Sequence, residues 1–315
     1  MAVLVSALTV CGVPGLSIGA ARATALPPGV ATGASTNVTS SSVTLGGEVN
    51  PHGQETSFYF EYGQTASYSS QTVPATAGNG GQTHGLTTPV GGLLADTLYH
   101  YRLVAVNPTG STLGKDRTFT TKKIPLTFKV SAAPSRVVFG NPVTVSGTLS
   151  GSGSANRQLV LFANTFPFLA GFKNLGTPLL ADANGAFSFS VNGLTQNTQL
   201  RVSTLETPPV TSGVIIERVA ARVTLHVGPT PRHGVVRLYG AVAPAQVIAS
   251  VSFQLLRPGH KPQTVATTNV RKASGGVSRF ESLVPIRHGG GLYRASVQVL
   301  SGAQVSGQSR AVSIR

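Results

Sequence analysis

The stretch LYHYRLVAVNPTG, residues 98–110, alternates between two kinds of position along an extended chain. One side carries Tyr99, Tyr101, Leu103 and Ala105, and the other carries His100, Arg102, Val104 and Val106. Because successive side chains of a strand point to opposite faces, this pattern predicts a strand with one buried face. The Asn-Pro-Thr-Gly sequence that follows is typical of a turn.

Similar alternating runs recur on both sides of this stretch. SSVTLGGEVN, TSFYFEYG and STLGKDRTFTT lie within residues 26–123 and are separated by turns rich in Gly, Asn and Pro. This spacing is typical of an antiparallel β-sandwich. The 37 glycines and the charged fraction of only 10% also favour strands joined by tight turns. Helical periodicity is hard to find anywhere in the chain, so the fold class is predicted to be all-β.

The run from Leu93 to Gly110, with Thr97, Tyr99, Tyr101 and Ala105 at the key positions, resembles the E–F corner and F strand of a fibronectin type III domain. The resemblance implies that the Tyr99 hydroxyl folds back onto the preceding loop, as a tyrosine corner. FYFEYG, residues 58–63, resembles the C strand of that family, with Phe58, Phe60 and Tyr62 inward. The chain has no Trp, so Leu45 is expected to fill the place of the family's buried Trp. It also lacks the adhesive Arg-Gly-Asp sequence.

The rest of the chain contains an internal repeat. An offset of 93 residues places Gly147 on Gly240 and Phe187 on Phe280, and it does the same for Val160 and Phe253, Leu200 and Tyr293, and Arg201 and Arg294. One offset that holds without a gap predicts two copies of one fold. Both copies resemble the immunoglobulin-like domains found in tandem in secreted actinobacterial proteins. The predicted layout is a leader at 1–25, a fibronectin type III-like domain at 26–123, an Ig-like domain at 124–218 and a basic Ig-like domain at 219–315.

The N-terminal segment is predicted to be a secretory signal peptide. Its apolar run is followed by Ala23-Thr24-Ala25, which matches a small-residue cleavage site, and then by Leu26. No Lys or Arg precedes the apolar run, so the start of the leader and its cleavage stay open, with an uncleaved membrane anchor as the alternative. The only cysteine, Cys11, lies in this segment. A secreted chain, associated with the cell surface or not, with no membrane span and no disulfide after cleavage is therefore expected.

Charge is concentrated at the C-terminal end of the sequence. The formal net charge is +15, and residues 218–315 hold thirteen basic residues against the single acid Glu281. Residues 26–123 are balanced, with five of each sign, and residues 124–217 hold five basic residues against three acids. Two interpretations stay open. Scattered arginines would only keep a sandwich soluble, whereas clustered ones would form a binding surface.

Clustering depends on strand connectivity. The strands of the third domain are predicted at 221–227, 235–242, 250–256, 263–270, 277–284, 292–299 and 305–314, and their alternating direction puts the first, third and fifth connections at one end. These connections carry Arg232, His233, Arg257, His260, Lys261, Arg287 and His288. The pattern predicts that this tip binds a polyanion and that its affinity rises as the histidines gain charge in mild acid. Four further arginines are expected elsewhere on the domain: Arg222, Arg237, Arg271 and Arg279.

Catalytic chemistry is not predicted. The nine acids are spread singly, and Asp116, between Lys115 and Arg117, is expected to be a solvated strand edge. The seven histidines form no close metal-binding pair, so neither a metal site nor a cofactor is expected.

Two classes of function are left. The first is a secreted, non-catalytic binding, adhesion or scaffold protein whose basic tip binds an anionic polymer such as a cell-wall glycan. The second is an accessory carbohydrate-binding module that uses the outer face of the first domain, where Tyr59 is the only aromatic side chain placed outward, beside Glu61, His100 and Arg102. Nucleic acid is not expected as the specific partner, because the tip loops lack stacking aromatics. The sequence leaves the ligand and the oligomeric state open.

Overall fold

The computed structural model describes residues 25–286 and 290–314, and all regular secondary structure within these ranges is β-strand. The predicted leader, apart from its last residue, and the predicted tip residues Arg287 and His288 lie outside the described residues. The chain divides into two compact units, Met1–Lys123 and Ile124–Arg315. Three separate hydrophobic cores mark one sandwich in the first unit and two in the second. The prediction of tandem all-β sandwiches is confirmed.

The first sandwich contains nine strands in two sheets. One sheet has the order β1-β2-β6, and the other has the order β4-β3-β7-β8, with β5 also paired to β3 and β9 to β7. The strands are β1 (Gly29–Thr32), β2 (Ser42–Asn50), β3 (Thr56–Gly63), β4 (Ser70–Gln71), β5 (Ala75–Gly78), β6 (His84–Gly91), β7 (Leu98–Asn107), β8 (Gly110–Leu113) and β9 (Arg117–Thr120).

Strand β7 carries the predicted tyrosine-rich inner face. Tyr99, Tyr101, Leu103 and Ala105 are all buried, and Leu45 of β2 is fully buried opposite them in the same core. One position differs from the expected alternation, because Val104 is only 1% exposed although it belongs to the outer face. Its cross-strand neighbours on that face are Tyr59 and Leu113, which flank it on both sides. Apolar neighbours therefore bury an outward position that alternation alone would expose.

The side chain of Tyr99 links β7 to the loop before it. Its hydroxyl accepts a hydrogen bond from the backbone N–H of Leu94 at 3.0 Å, and its ring stacks on Phe119 with centroids 5.5 Å apart. The ring is buried in the core, so this hydrogen bond ties the loop to the interior of the sandwich.

We expect Tyr99→Phe to lower the free energy of unfolding of the first sandwich by about 1–2 kcal/mol, because the Leu94 N–H loses its partner. Urea unfolding measures this change. The matched control is Tyr59→Phe, which removes a hydroxyl that has no hydrogen bond within the described residues and should change stability by less than about 0.5 kcal/mol. Equal effects of the two substitutions would contradict a stabilising role for the corner bond.

The second sandwich contains nine strands, from β10 to β18. One sheet has the order β10-β12-β16, and the other has the order β11-β18-β17-β13-β14, with β15 paired to β13. The strands are β10 (Thr127–Ala133), β11 (Arg136–Val138), β12 (Val143–Ser150), β13 (Gln158–Thr165), β14 (Lys173–Asn174), β15 (Leu179–Leu180), β16 (Ala186–Val191), β17 (Thr198–Thr204) and β18 (Ile215–Ala220).

The third sandwich repeats this plan with sheets β19-β20-β24-β23 and β22-β21-β25-β26, and with β27 paired to β25. Six predicted strands match to within about two residues at either end, whereas the predicted strand at 305–314 is two short pieces. The strands are β19 (Arg222–Gly228), β20 (Val235–Ala243), β21 (Ala249–Leu256), β22 (Gln263–Asn269), β23 (Arg271–Lys272), β24 (Ser278–Pro285), β25 (Gly291–Val299), β26 (Gly307–Gln308) and β27 (Val312–Ile314).

The repeated glycine and phenylalanine are directly opposed residues in neighbouring strands. Gly147 of β12 pairs with Phe187 of β16, and Gly240 of β20 pairs with Phe280 of β24. A Cβ atom on Gly240 would lie 2.7 Å from the Phe280 ring and 1.9 Å from the Thr224 carbonyl oxygen of β19. The same atom on Gly147 would lie 3.0 Å and 2.0 Å from the equivalent atoms. The repeat therefore preserves a place where a strand and a ring both approach the glycine backbone too closely for any side chain.

The second and third sandwiches meet through backbone pairing. Ala220, the last residue of β18, forms a parallel bridge with Val305 of the third sandwich. Asn197 donates from its backbone N–H to Ala303 and from its side-chain amide to Gly302, at 2.7 and 2.8 Å. Gln304 donates to the Thr195 carbonyl at 2.8 Å. The transition between the two cores, predicted near residue 219, thus lies inside a hydrogen-bonded strand segment.

Glu217 of β18 is a buried carboxyl beside this transition, with 1% of its surface exposed. Its Oε1 accepts a hydrogen bond from the Val137 N–H at 3.0 Å, whereas its Oε2 is buried without a hydrogen-bond partner among the described residues. Burial raises the pKa of Glu217, and the hydrogen bond from the Val137 N–H opposes this shift only in part.

Candidate functional site

The described part of the predicted basic tip consists of two loops, residues 229–234 and 257–262. The first loop lies at the end of its sheet where Val235 begins β20 opposite Pro285, the last residue of β24. The second lies where Leu256 ends β21 opposite Leu292, near the start of β25. Because the chain passes from β24 to β25 through residues 286–290 alone, both loops lie at the same end of the third sandwich. The Ile286 N–H also donates to the Gly234 carbonyl at 2.7 Å.

Every described tip residue is exposed. Arg232 and His233 lie in the first loop, and Arg257, His260 and Lys261 lie in the second. Neither loop contains an acidic residue, and within the described residues none of these side chains forms an ion pair. Thr230 accepts a hydrogen bond from the Arg232 N–H at 3.1 Å, so the first loop is locally ordered. The junction with the second sandwich occupies the opposite end.

A second basic cluster lies on the outer face of the sheet formed by β19, β20, β24 and β23. Arg237 of β20, Arg279 of β24 and Arg271 of β23 line one cavity of about 290 Å³ together with Tyr239 and Glu281. We call it the arginine cavity. The sequence pattern predicts these three arginines elsewhere on the domain than the tip and gives them no common site. Alternation shows that they point outward, but only the strand order shows that they are neighbours.

The outer face of the first sandwich carries a hydrogen-bonded polar network. The Tyr68 hydroxyl donates to Asp116 at 2.7 Å, His100 Nδ1 lies 2.8 Å from the same carboxylate, and Arg102 donates to Glu61 at 2.6 Å. One expectation is therefore wrong: Tyr59 is not the only outward aromatic, because the Arg102 guanidinium lies over the Tyr68 ring at 4.6 Å. Asp116 is exposed beside β9, as expected, but it also accepts hydrogen bonds within this network.

The electrostatics of this network keep the tyrosine protonated. Burial, together with the hydrogen bond to Asp116, raises the pKa of Tyr68 to about 12. Burial alone would raise the pKa of Asp116, but the hydrogen bonds from Tyr68 and His100 outweigh it, so that pKa is lowered. A phenol that keeps its proton and a carboxylate already accepting two hydrogen bonds form a stabilising network and not an activated nucleophile. The Tyr68 ring is also covered by Arg102, which leaves little platform for a neutral sugar.

Within residues 25–286 and 290–314, no group of three or more His, Cys, Asp or Glu side chains is arranged to hold a metal ion. No secondary-structure element in these ranges is a helix of the length and apolarity needed to span a membrane.

Comparisons with known proteins concern the fold. No protein-family model and no curated protein matches the chain. Among solved structures, the chain is similar to the FN1-FN3 domains of chicken CNTN1, with 13% identity, a TM-score of 0.29 and coverage of 91% of this chain and 97% of that chain. It is also similar to trypsin-activated alpha-2-macroglobulin from Escherichia coli, with 14% identity, a TM-score of 0.26 and coverage of 86% and 22%. Neither likeness assigns a ligand or an activity to this chain.

Proposed function

We propose that this chain is an exported, non-catalytic binding or scaffold protein and that the third sandwich binds an anionic extracellular polymer through its basic end. Tandem sandwiches are scaffolds whose function resides in particular surfaces, so the proposal rests on a surface and not on the fold. The surface is the basic end: the two described loops with Arg232, Arg257 and Lys261, joined in the sequence by Arg287.

One observation carries the proposal. Strand pairing brings two exposed loops, 229–234 and 257–262, which are separated in sequence by residues 235–256, to the same end of one sandwich, and both loops are basic without an acid. Cations that converge on a surface with no carboxylate of their own attract polyanions and release the counterions of the polymer. Cations scattered only for solubility have no reason to share an end.

Export is supported by the start of the first sandwich. The Leu26 carbonyl accepts hydrogen bonds from the side-chain amides of Gln54 and Asn107, both at 2.9 Å, so the residue directly after the predicted cleavage site belongs to the folded sandwich. Cleavage after Ala25 would leave this contact intact. N-terminal sequencing of protein recovered from the culture medium should therefore begin at Leu26.

The test of polymer binding is a triple charge reversal at the tip, Arg232→Glu, Arg257→Glu and Lys261→Glu. For a short DNA duplex, used as a polyanion of regular charge spacing, we expect the wild-type slope of log affinity against log salt to be about −3 to −4, at roughly −0.9 per cation with Arg287 included. The triple variant should reduce the size of that slope by about 3. Binding to heparin should weaken in parallel, and wild-type binding should tighten in mild acid as His233 and His260 gain charge.

The matched control reverses three exposed basic residues that lie in neither basic cluster, Lys129→Glu, Lys173→Glu and Arg310→Glu. This variant has the same net charge as the tip variant, so it measures the effect of overall charge. It should keep most of the wild-type affinity and slope. Equal losses in both triple variants, or no binding by the wild type at low salt, would refute the tip as a site.

A further inference from the structure

The arginine cavity is a concave, strongly basic site away from the tip. Its volume of about 290 Å³ is at the lower end of the range for small-molecule pockets, large enough for one small unit of a ligand. Strand β20 contributes Arg237 and Tyr239, β24 contributes Arg279 and Glu281, and Arg271 comes from β23. All these elements are paired strands, so the side chains start from a fixed backbone.

The pairing of Arg271 with Arg279 points to an anionic ligand. These two residues are directly opposed in the register of β23 and β24. Like charges in this arrangement destabilise a sheet, and within the described residues no arginine of the cavity forms an ion pair that would offset the repulsion. An oxyanion held between the two guanidinium groups would remove the repulsion and accept charge-assisted, bidentate hydrogen bonds.

The remaining groups add selectivity beyond charge. The Arg237 guanidinium lies over the Tyr239 ring at 4.7 Å, which holds the third cation in place, and the His226 ring lies beside the same ring with centroids 5.5 Å apart. Glu281 is directly opposite Tyr239 in the register and is exposed at the cavity. A carboxylate repels a simple anion but accepts hydrogen bonds from hydroxyl groups, and the Asn269 amide at the rim can both donate and accept.

We propose that the arginine cavity binds one anionic sugar unit of a glycan. The arginines hold its carboxylate or phosphate ester, and Glu281 and Asn269 bond to the ring hydroxyls. This inference goes beyond the proposed function, because the tip responds to charge density whereas the cavity distinguishes an anionic sugar from other anions. It does not require the tip to bind.

The experiment is an isothermal titration of the full chain with four small probes: glucuronate, glucose 6-phosphate, glucose and inorganic phosphate. We expect at least one of the two anionic sugars to bind, and the comparison between them shows which oxyanion the arginines prefer. Glucose and inorganic phosphate should bind at least about tenfold more weakly. If inorganic phosphate or glucose binds as tightly as the anionic sugars, or if neither anionic sugar binds at millimolar concentration, the inference is wrong. Loss of polymer binding in the tip variant would still support the proposed function in that case.

Two variants assign the binding to the cavity. Arg271→Gln with Arg279→Gln should lower the affinity for the anionic sugar at least about tenfold, while the melting temperature stays level or rises because the repulsion is relieved. Glu281→Gln should weaken the binding of the anionic sugar but not the binding of inorganic phosphate. The control, Lys129→Gln with Lys173→Gln, should change neither the sugar affinity nor the melting temperature. Unchanged sugar affinity in the double arginine variant, or a fall in melting temperature that shows a structural role for the pair, would overturn the assignment.

Discussion

Gly240→Ala should destabilise the third sandwich by about 3 kcal/mol. The new Cβ atom would lie 1.9 Å from the Thr224 carbonyl oxygen, and backbone of a paired strand cannot rotate away as a side chain can. Strand β19 would have to separate from β20 at that point and give up part of its ladder. Urea unfolding of the full chain, followed by far-ultraviolet circular dichroism, measures the loss.

Two companion variants test whether the clash with backbone causes this loss. Gly85→Ala, in β6 of the first sandwich, introduces the same methyl group where no atom lies within 4 Å, so it should be neutral or slightly stabilising. Adding Phe280→Leu to Gly240→Ala removes the ring contact at 2.7 Å but leaves the carbonyl contact, so it should not restore stability. A loss below about 1 kcal/mol for Gly240→Ala would show that the two strands tolerate the side chain.

Glu217→Gln should raise the stability of the second unit at neutral pH, by about 1–3 kcal/mol. In the wild type, burial raises the pKa of this carboxyl, so the folded protein favours its protonated form. The ionised form therefore carries a charge, with one oxygen unsatisfied, inside the sandwich. Glutamine keeps a carbonyl oxygen for the Val137 N–H and cannot ionise.

The effect of Glu217→Gln on stability should depend on pH. A carboxyl whose folded pKa is raised stabilises the protein below its ordinary pKa, and this contribution is lost as the pH rises through the window between the ordinary and the raised value. The stability difference between Glu217→Gln and the wild type should thus be near zero at about pH 3.5 and reach its full size above the raised pKa. Glu48→Gln, at an exposed position of β2, should show no such difference. A variant less stable than the wild type at neutral pH would mean that the ionised carboxylate is stabilised by a partner.

Much of the fold could be predicted from the sequence. The alternation in residues 98–110 correctly identified the buried tyrosine face of β7, and the strands predicted at 235–242 and 292–299 differ from β20 and β25 by one residue each. These predictions succeed because side-chain direction along a strand depends only on position in the chain. The strand predicted at 305–314 is only partly correct: its first residue, Val305, pairs with Ala220 of the second sandwich, a contact with a distant segment, and only two short pieces pair within the third sandwich.

The sequence by itself determined the all-β class, the inward and outward faces of the strands, the repeat and the concentration of charge at the C-terminal end. Connectivity also sufficed to group the tip loops, because alternating strand direction decides which connections share an end. Only the tertiary structure decided which outward residues are neighbours. Arg237, Arg271 and Arg279 meet in one cavity because β20, β24 and β23 are adjacent in their sheet, and Asp116 meets Tyr68 across residues distant in sequence. Period-two alternation is a local pattern, and it assigns a face to each residue. Which two strands pair depends on contacts between segments that are distant in sequence, and a local pattern does not predict these contacts.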